Sequence, residues 1–237
     1  MSNRKATKMV FFDAAGTLFD VRGSVGEIYA RFALLHGKEV DPKAVQNEFI
    51  RQFPQQPPMA FARDLTRNER LRQEKQWWRK LVQDVFAGFG EFPQVEDYFV
   101  EIFEYFRTTA AWTLRPDTRP TLDAIRRQGL RTGLISNFDS RLYDLLEAFD
   151  LRRSFDSIHI SSEVGAAKPD AAIFEAALQD NQIEPSGALH LGDSFGEDVR
   201  GAQAAGIRAV WLNPQSAHRT ATDVVQVLNL QEILDLL

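Results

Sequence analysis

The sequence predicts an α/β fold, a three-layer parallel sheet with an α-helical bundle inserted into it, and three features of the chain carry that reading. A short apolar run near the start, MVFF at 9–12, stops at an acidic residue. The long stretch that follows shows helical spacing alone. From Leu114 onward, short apolar runs ending in small or polar residues alternate with helical stretches, the pattern of repeated βα units.

Taken in order, MVFF reads as the first strand, broken by Asp13 and Gly16. Between Ser24 and Arg107 the apolar residues recur at helical intervals: Val25, Ile28, Tyr29, Phe32 and Leu35, then Leu71, Trp78, Leu81, Val82 and Val85, then Val95, Phe99, Ile102, Phe103 and Phe106. The Pro- and Gly-rich segments at 53–58 and 88–93 are the loops between them. RTGLIS at 131–136, SIHIS at 157–161, ALHLG at 188–192 and RAVWLN at 208–213 read as further strands. Helices are expected to begin near Thr118, Asp139, Asp170 and Gly196, with a last one near Val224. Five parallel strands with right-handed crossovers follow. The predicted core is therefore 1–19 together with 109–237, and the inserted four-helix unit is 20–108.

Composition narrows the function. With 44% hydrophobic and 26% charged residues over 237 positions, the chain is neither disordered nor fibrous. A net charge of −5 provides no field to hold a polyphosphate backbone, so nucleic acid is not an expected partner. The absence of cysteine excludes thiolate nucleophiles and disulfides, and any metal must be held by oxygen or histidine. The four histidines, His36, His159, His190 and His218, show no metal-ligand spacing, and His190 reads as a buried residue of its strand. No run approaches the ~18 apolar residues of a membrane span. The N-terminus lacks the apolar segment of a signal peptide. A cytoplasmic protein, monomeric or weakly dimeric, is expected.

In an open parallel sheet, ligands bind beyond the carboxyl ends of the strands. The polar residues at those ends are Asp13, Ser136, the 161–163 segment and Asp193. Asp13 is followed by a small flexible turn, Ala14-Ala15-Gly16-Thr17, whose amides can approach an anion. Asp193 and Asp198 lie about one helical turn apart and, with Asp13, form an all-oxygen set suited to Mg²⁺. Ser136 and Asn137 stand where hydroxyl and amide can hold phosphate oxygens, and Lys168 sits beside the positive end of a helix, where a cation is electrostatically misplaced. Taken alone, Asp13 also fits a capped strand end, and Ser136, Asp193 and Asp198 fit plain helix capping. Likewise the basic segment at 63–80 fits a solvated helix face, and the Trp77-Trp78 pair fits bundle packing.

In their order along the chain, FFDAAGTLF, LISNFDS, SSEVGAAKPDAAIF and LHLGDSFGEDVRGAQAAG resemble the four motifs of the haloacid dehalogenase-like hydrolase superfamily. The helical insertion is similar to that superfamily's first class of cap. The resemblance implies a Rossmann-like core and Mg²⁺-dependent hydrolysis of a small phosphorylated, anionic substrate. By it, Asp13 is the nucleophile that forms an aspartyl-phosphate, Lys168 steadies Asp13 and the developing charge, and Thr17, Ser136, Asn137 and Lys168 bind the phosphoryl oxygens. Asp13, the Ala15 carbonyl, Asp193 and Asp198 would hold the metal, Asp198 directly or through water or Lys168. The cap would close over the cleft about hinges at 19–23 and 108–115.

One departure from the pattern bears on mechanism. The superfamily's phosphatases usually carry a second aspartate two residues after the nucleophile, as general acid and base, and here that position is Ala15. Four alternatives follow: a slow phosphatase or one confined to good leaving groups, a phosphonatase-like enzyme using a cap lysine (Lys38, Lys43, Lys75 or Lys80), a dehalogenase-like enzyme, and a binding or regulatory module with little turnover.

Overall fold

The computed structural model describes residues 7–214 and 224–237, so His218 and the first six residues lie outside the described residues. In chain order the strands are β1 (Met9–Phe12), β2 (Phe19–Val21), β3 (Trp112–Leu114), β4 (Arg131–Ser136), β5 (Ser157–Ile160), β6 (Ala188–Gly192), β7 (Arg208–Leu212) and β8 (Val225–Val227). The helices are α1 (Val25–Leu35), α2 (Pro42–Gln52), α3 (Arg67–Phe86), α4 (Val95–Tyr105), α5 (Thr118–Arg127), α6 (Arg141–Ala148), α7 (Ser161–Val164), α8 (Ala171–Asp180) and α9 (Gly201–Ala204).

Six strands form one parallel sheet in the order β5-β4-β1-β6-β7-β8. Because side chains alternate along a strand, β1 feeds both faces. Val10 and Phe12 pack with Leu122, Ile125, Leu142 and Leu145, while Met9 and Phe11 pack with Ile173, Phe174 and Ala177. The central strand is thus buried on both sides, as a parallel sheet covered by helices requires.

Helices α1–α4 share a separate apolar cluster built on Tyr29, Leu81, Val85, Tyr98 and Phe103. Their ends are specified locally. Ser24 and Glu27 form a capping box on α1, Thr66 and Glu69 form another on α3, and Asp41 caps α2 ahead of Pro42. At its two ends this helical stretch is joined to the sheet through β2 and β3, which pair antiparallel as a two-stranded ribbon. The expected hinge segments therefore meet each other. Side chains of the helical unit also reach the sheet unit directly. The Trp78 Nε1–H donates to Asp139 at 2.5 Å, Glu74 accepts from the backbone N–H of Ser140 at 3.1 Å and from its hydroxyl at 2.5 Å, and Arg70 donates to the Ser162 carbonyl at 3.1 Å.

One expectation is corrected at the C-terminal end. The helix expected near Val224 is instead a sixth strand, β8, parallel to β7, and the helical turns begin only at Leu230. Val225 and Val227 are β-branched residues that pair well along an open sheet edge. Asn229, which accepts from the Glu232 N–H, caps the turns that follow.

Candidate active site

The carboxyl ends of β1, β4 and β6 bring the predicted residues to one place. Asp13 directly follows β1, and its N–H continues the ladder to the Leu191 carbonyl at 3.0 Å. Its Oδ1 accepts two hydrogen bonds, from the Ser136 hydroxyl at the end of β4 (2.9 Å) and from Lys168 Nζ (2.6 Å). The same ammonium donates to Asp198 Oδ1 at 2.6 Å. All four side chains are buried.

Asp193, one residue past β6, completes the cluster. Carboxylate oxygens of Asp13, Asp193 and Asp198 lie within 4.8 Å of one another. Two glycines allow this convergence. A Cβ at Gly16, whose φ is +89°, would sit 2.6 Å from the Asp193 carboxylate, and a Cβ at Gly192 would sit 2.1 Å from Asp198.

The remaining predicted residues contact this centre. The Thr17 hydroxyl donates to Asp193 Oδ1 at 3.1 Å. Asn137 clamps the Lys168 backbone, its Oδ1 accepting from the Lys168 N–H at 2.7 Å and its Nδ2 donating to the Lys168 carbonyl at 2.9 Å. Ala15 lines the cavity in front of Asp13. Ser162, from the 161–163 segment, instead accepts the Arg70 contact to the helical unit, and Glu163 accepts from the Tyr143 hydroxyl at 2.8 Å.

Three carboxylates meet a single ammonium, and their titration reflects it. Burial pushes Asp13 up, and the neighbouring Asp198 adds to that push, against the opposing pull of Lys168. Enclosure by the surrounding protein, with Asp13 and Asp198 nearby, raises the Asp193 carboxyl to about 7 even though its tip opens to solvent. Burial would raise Asp198 too, but the Lys168 and His190 contacts outweigh it and hold that carboxyl well below the usual range. Lys168 is raised above the ordinary lysine range, because two carboxylates outweigh the cost of burying it. The excess of two negative charges and the all-oxygen donor set fit a hard divalent cation.

Two neighbours escape the motif reading. His190 is buried as expected, yet its Nε2 lies 2.9 Å from Asp198 Oδ1. Alternation along β6 puts His190 and Gly192 on one face, and the chain after Gly192 folds Asp198 back over both. Glu197 lines the cavity and accepts from Asn137 Nδ2 at 3.2 Å. Burial raises its carboxyl, against the pull of Lys168. Its position beside Asp198 in the sequence was the only pointer to it.

In front of these residues lies a cavity of about 520 Å³, bounded by the sheet ends on one side and by α2, α3 and the loop after α2 on the other. A buried carboxylate braced by lysine can act as a nucleophile toward a group in the cavity, and the neighbouring carboxylate cluster can hold a cation. The sequence profile of the haloacid dehalogenase-like hydrolases matches residues 7–206 of the chain. The chain belongs to the haloacid dehalogenase-like hydrolase family.

Within that family, the chain is 34% identical over 215 residues to the haloacid dehalogenase-like hydrolase domain-containing protein 3 of Bos taurus, covering 88% of this chain and 83% of the bovine protein. Solved structures of the same fold include a HAD phosphatase from Thermococcus onnurineus (TM-score 0.67, 22% identity, 97% of each chain covered). They also include the L-2-haloacid dehalogenase of Xanthobacter autotrophicus with chloropropionic acid covalently bound (TM-score 0.73, 16% identity, 97% of this chain and 98% of that one). At these identities the structures speak for the haloacid dehalogenase-like fold alone. Among the described residues no helix is long and apolar enough to cross a membrane.

Proposed function

We propose that this haloacid dehalogenase-like protein is a Mg²⁺-dependent phosphatase acting through Asp13, with 20–108 serving as a cap over the core formed by 1–19 and 109–237. The observation that carries the reading is the cluster of Asp13, Asp193 and Asp198 around the single ammonium of Lys168. Asp13, Asp193 and the Ala15 carbonyl would hold the ion. Asp198 stands behind them, since its two oxygens already accept from Lys168, His190 and the Ser194 N–H. Bound there, Mg²⁺ supplies positive charge that screens the nucleophile from the phosphate.

The protein's own groups account for the rest. Lys168 and Ser136 fix Asp13 through Oδ1, which holds its carboxylate at the cavity where the phosphorus of a substrate would lie. As the new Asp13 O–P bond forms, the bond to the leaving oxygen breaks and that oxygen departs with the electron pair. Water then adds to phosphorus, the Asp13 O–P bond breaks, and inorganic phosphate leaves with the carboxylate restored. Thr17 holds Asp193 in place, and Asn137 holds Lys168.

The phosphonatase alternative needs an amine in the cavity, and among the described residues lining it Lys168 is the one lysine. Lys38 donates to the Phe89 and Glu91 carbonyls, Lys75 pairs with Glu104, and Lys80 pairs with Asp84. The dehalogenase alternative uses no metal, so a carboxylate cluster weighs against it. The deciding experiment is phosphate release from a panel of esters and chloride release from small haloacids, with Mg²⁺ and with chelator. Mg²⁺-dependent phosphate release supports the reading. Metal-independent chloride release, or no turnover of any ester, overturns it.

A further inference from the structure

Eight aromatic residues line the cavity: Tyr29, Phe49, Phe53, Trp77, Trp78, Phe106, Trp112 and Phe138. They form an unbroken chain of ring contacts around it. From the sheet side, Phe138 meets Trp112 at 5.9 Å, Trp112 meets Phe106 at 5.9 Å, and Phe106 meets Tyr29 at 6.1 Å. From the helical side, Tyr29 meets Phe49 at 6.0 Å, Phe49 meets Phe53 at 5.3 Å, Phe53 meets Trp77 at 5.8 Å, and the two tryptophans lie 5.0 Å apart. Such centroid separations are those of interacting rings. Trp77 and Trp78, which the sequence presents as packing residues, are only half-buried.

Two of the nitrogen donors facing this lining are already engaged. The Arg141 guanidinium, the cavity's other cation besides Lys168, is paired with Asp139 at 2.6 Å and covered by Trp78 and Phe103. The Gln56 amide donates to Asp84 at 2.9 Å. Neither donor is left to meet a second anionic group of a ligand.

We infer that the substrate is a phosphate monoester of a flat, apolar aromatic alcohol, whose ring occupies the aromatic lining while its phosphoryl group meets Asp13; the inference rests on the phosphatase reading above. Volume agrees with it, since about 520 Å³ lies within the roughly 300–1,000 Å³ typical of small-molecule sites. A second and independent feature points the same way. With alanine at position 15, the acid that would protonate a departing alkoxide is missing. Asp13 and Asp198 are committed to Lys168, Asp193 would be committed to the cation, and Glu197, the remaining carboxyl of the lining, accepts from Asn137 at 3.2 Å. A phenol ionises near 10, about where tyrosine does, whereas an aliphatic alcohol is roughly as weak an acid as water, near 16. An aryl oxygen leaves as phenolate with its electron pair and takes its proton from solvent afterwards, so the missing acid costs little. An alkyl oxygen would forgo the roughly 10²- to 10⁴-fold contribution of a positioned acid.

The test has two arms, both on the full chain with Mg²⁺. In the first, kcat/KM is measured for 1-naphthyl phosphate, acetyl phosphate and an alkyl phosphate of matched size. We expect naphthyl to exceed alkyl by more than about 10²-fold and to have a KM well below that of acetyl phosphate, which has a good leaving group but no ring. Phe53→Ser, at a partly exposed position, should raise the naphthyl KM about tenfold, the upper end for one lost ring contact. In the second arm, calorimetry compares 1-naphthylphosphonate with methylphosphonate, which cannot turn over. The naphthyl compound should bind at least about tenfold more tightly. Alkyl phosphate turned over within tenfold of naphthyl would overturn the inference and point to Glu197 as the proton donor. Equal binding of the two phosphonates would overturn it as well. If no ester turns over, the phosphatase reading fails, and the calorimetric arm still decides whether the cavity selects an aromatic ring.

Discussion

The two walls of the cavity are built on opposite terms. On the sheet side, charge is concentrated and paired: Asp13 and Asp198 each accept from the Lys168 ammonium at 2.6 Å, backed by Ser136, Asn137 and His190. On the helical side, Phe49, Phe53, Trp77 and Trp78 present rings, and their polar neighbours are turned to other duties. The first wall fixes where a bond breaks, because buried paired charges tolerate little displacement. The second fixes what is carried there, because rings discriminate by shape and apolar area. Changes on one side should alter turnover, and changes on the other should alter affinity.

The severest break in that division is Asp13→Asn. Ester hydrolysis should fall by at least about 10⁴-fold, while binding of an aryl phosphonate to the ring-lined wall is retained. Loss of both would join the two walls into one unit and contradict the separation.

Lys168→Met comes next. It leaves Asp13 and Asp198 facing each other in a buried place without a cation, which should lower unfolding stability by about 3–5 kcal/mol. The sign with pH follows from Asp198. Its folded pKa lies below the ordinary 3.8, so its contribution is present above that value and is lost as pH falls through the folded one. Removing Lys168 should shrink this acid-side loss to the part that the His190 contact sustains, which a urea series at several pH values would show.

Ala15→Asp sharpens the comparison from the other direction. Restoring a carboxyl at the mouth of the charged wall should raise kcat/KM for alkyl phosphate by about 10²-fold and leave kcat/KM for aryl phosphate, whose leaving oxygen needs no acid, within a few fold. No gain would place the missing proton donor elsewhere.

The smallest effect concerns the metal. With Mg²⁺ removed by chelation, Asp193 holds a proton in the folded protein between its ordinary 3.8 and about 7, where the unfolded chain has released it. The contribution of Asp193 to stability is therefore present at acid pH and lost as pH rises through about 7. Proton and cation compete for the same oxygens, so added Mg²⁺ should raise the melting temperature more at about pH 8, above that range, than at about pH 5, within it. Scanning calorimetry at the two pH values reads the difference.

The charged wall was legible in the sequence because Asp13, Ser136 and Asp193 stand at the ends of recognisable strands, where the parallel-sheet rule puts them, and because Lys168 and Asp198 complete a known order along the chain. The ring-lined wall was not legible. Trp77 and Trp78 occupy helical positions that serve packing equally well, and only the folded contacts show that they also face a cavity. The strands β2, β3 and β8 have three residues each, too few to display alternation, and the apolar residues after Val224 suit a helix as readily as an edge strand. The engagement of His190 with Asp198 depends on the local path of the chain after Gly192, which spacing alone does not encode.

The most direct test of the account is to trap the covalent intermediate. Wild-type protein is mixed with 1-naphthyl phosphate and Mg²⁺, quenched in acid during turnover, digested and analysed by mass spectrometry. One phosphoryl group should appear on the peptide that contains Asp13, and none on the same peptide of Asp13→Asn. Turnover without that label, or with the label on another residue, would contradict the assignment of Asp13 as the nucleophile.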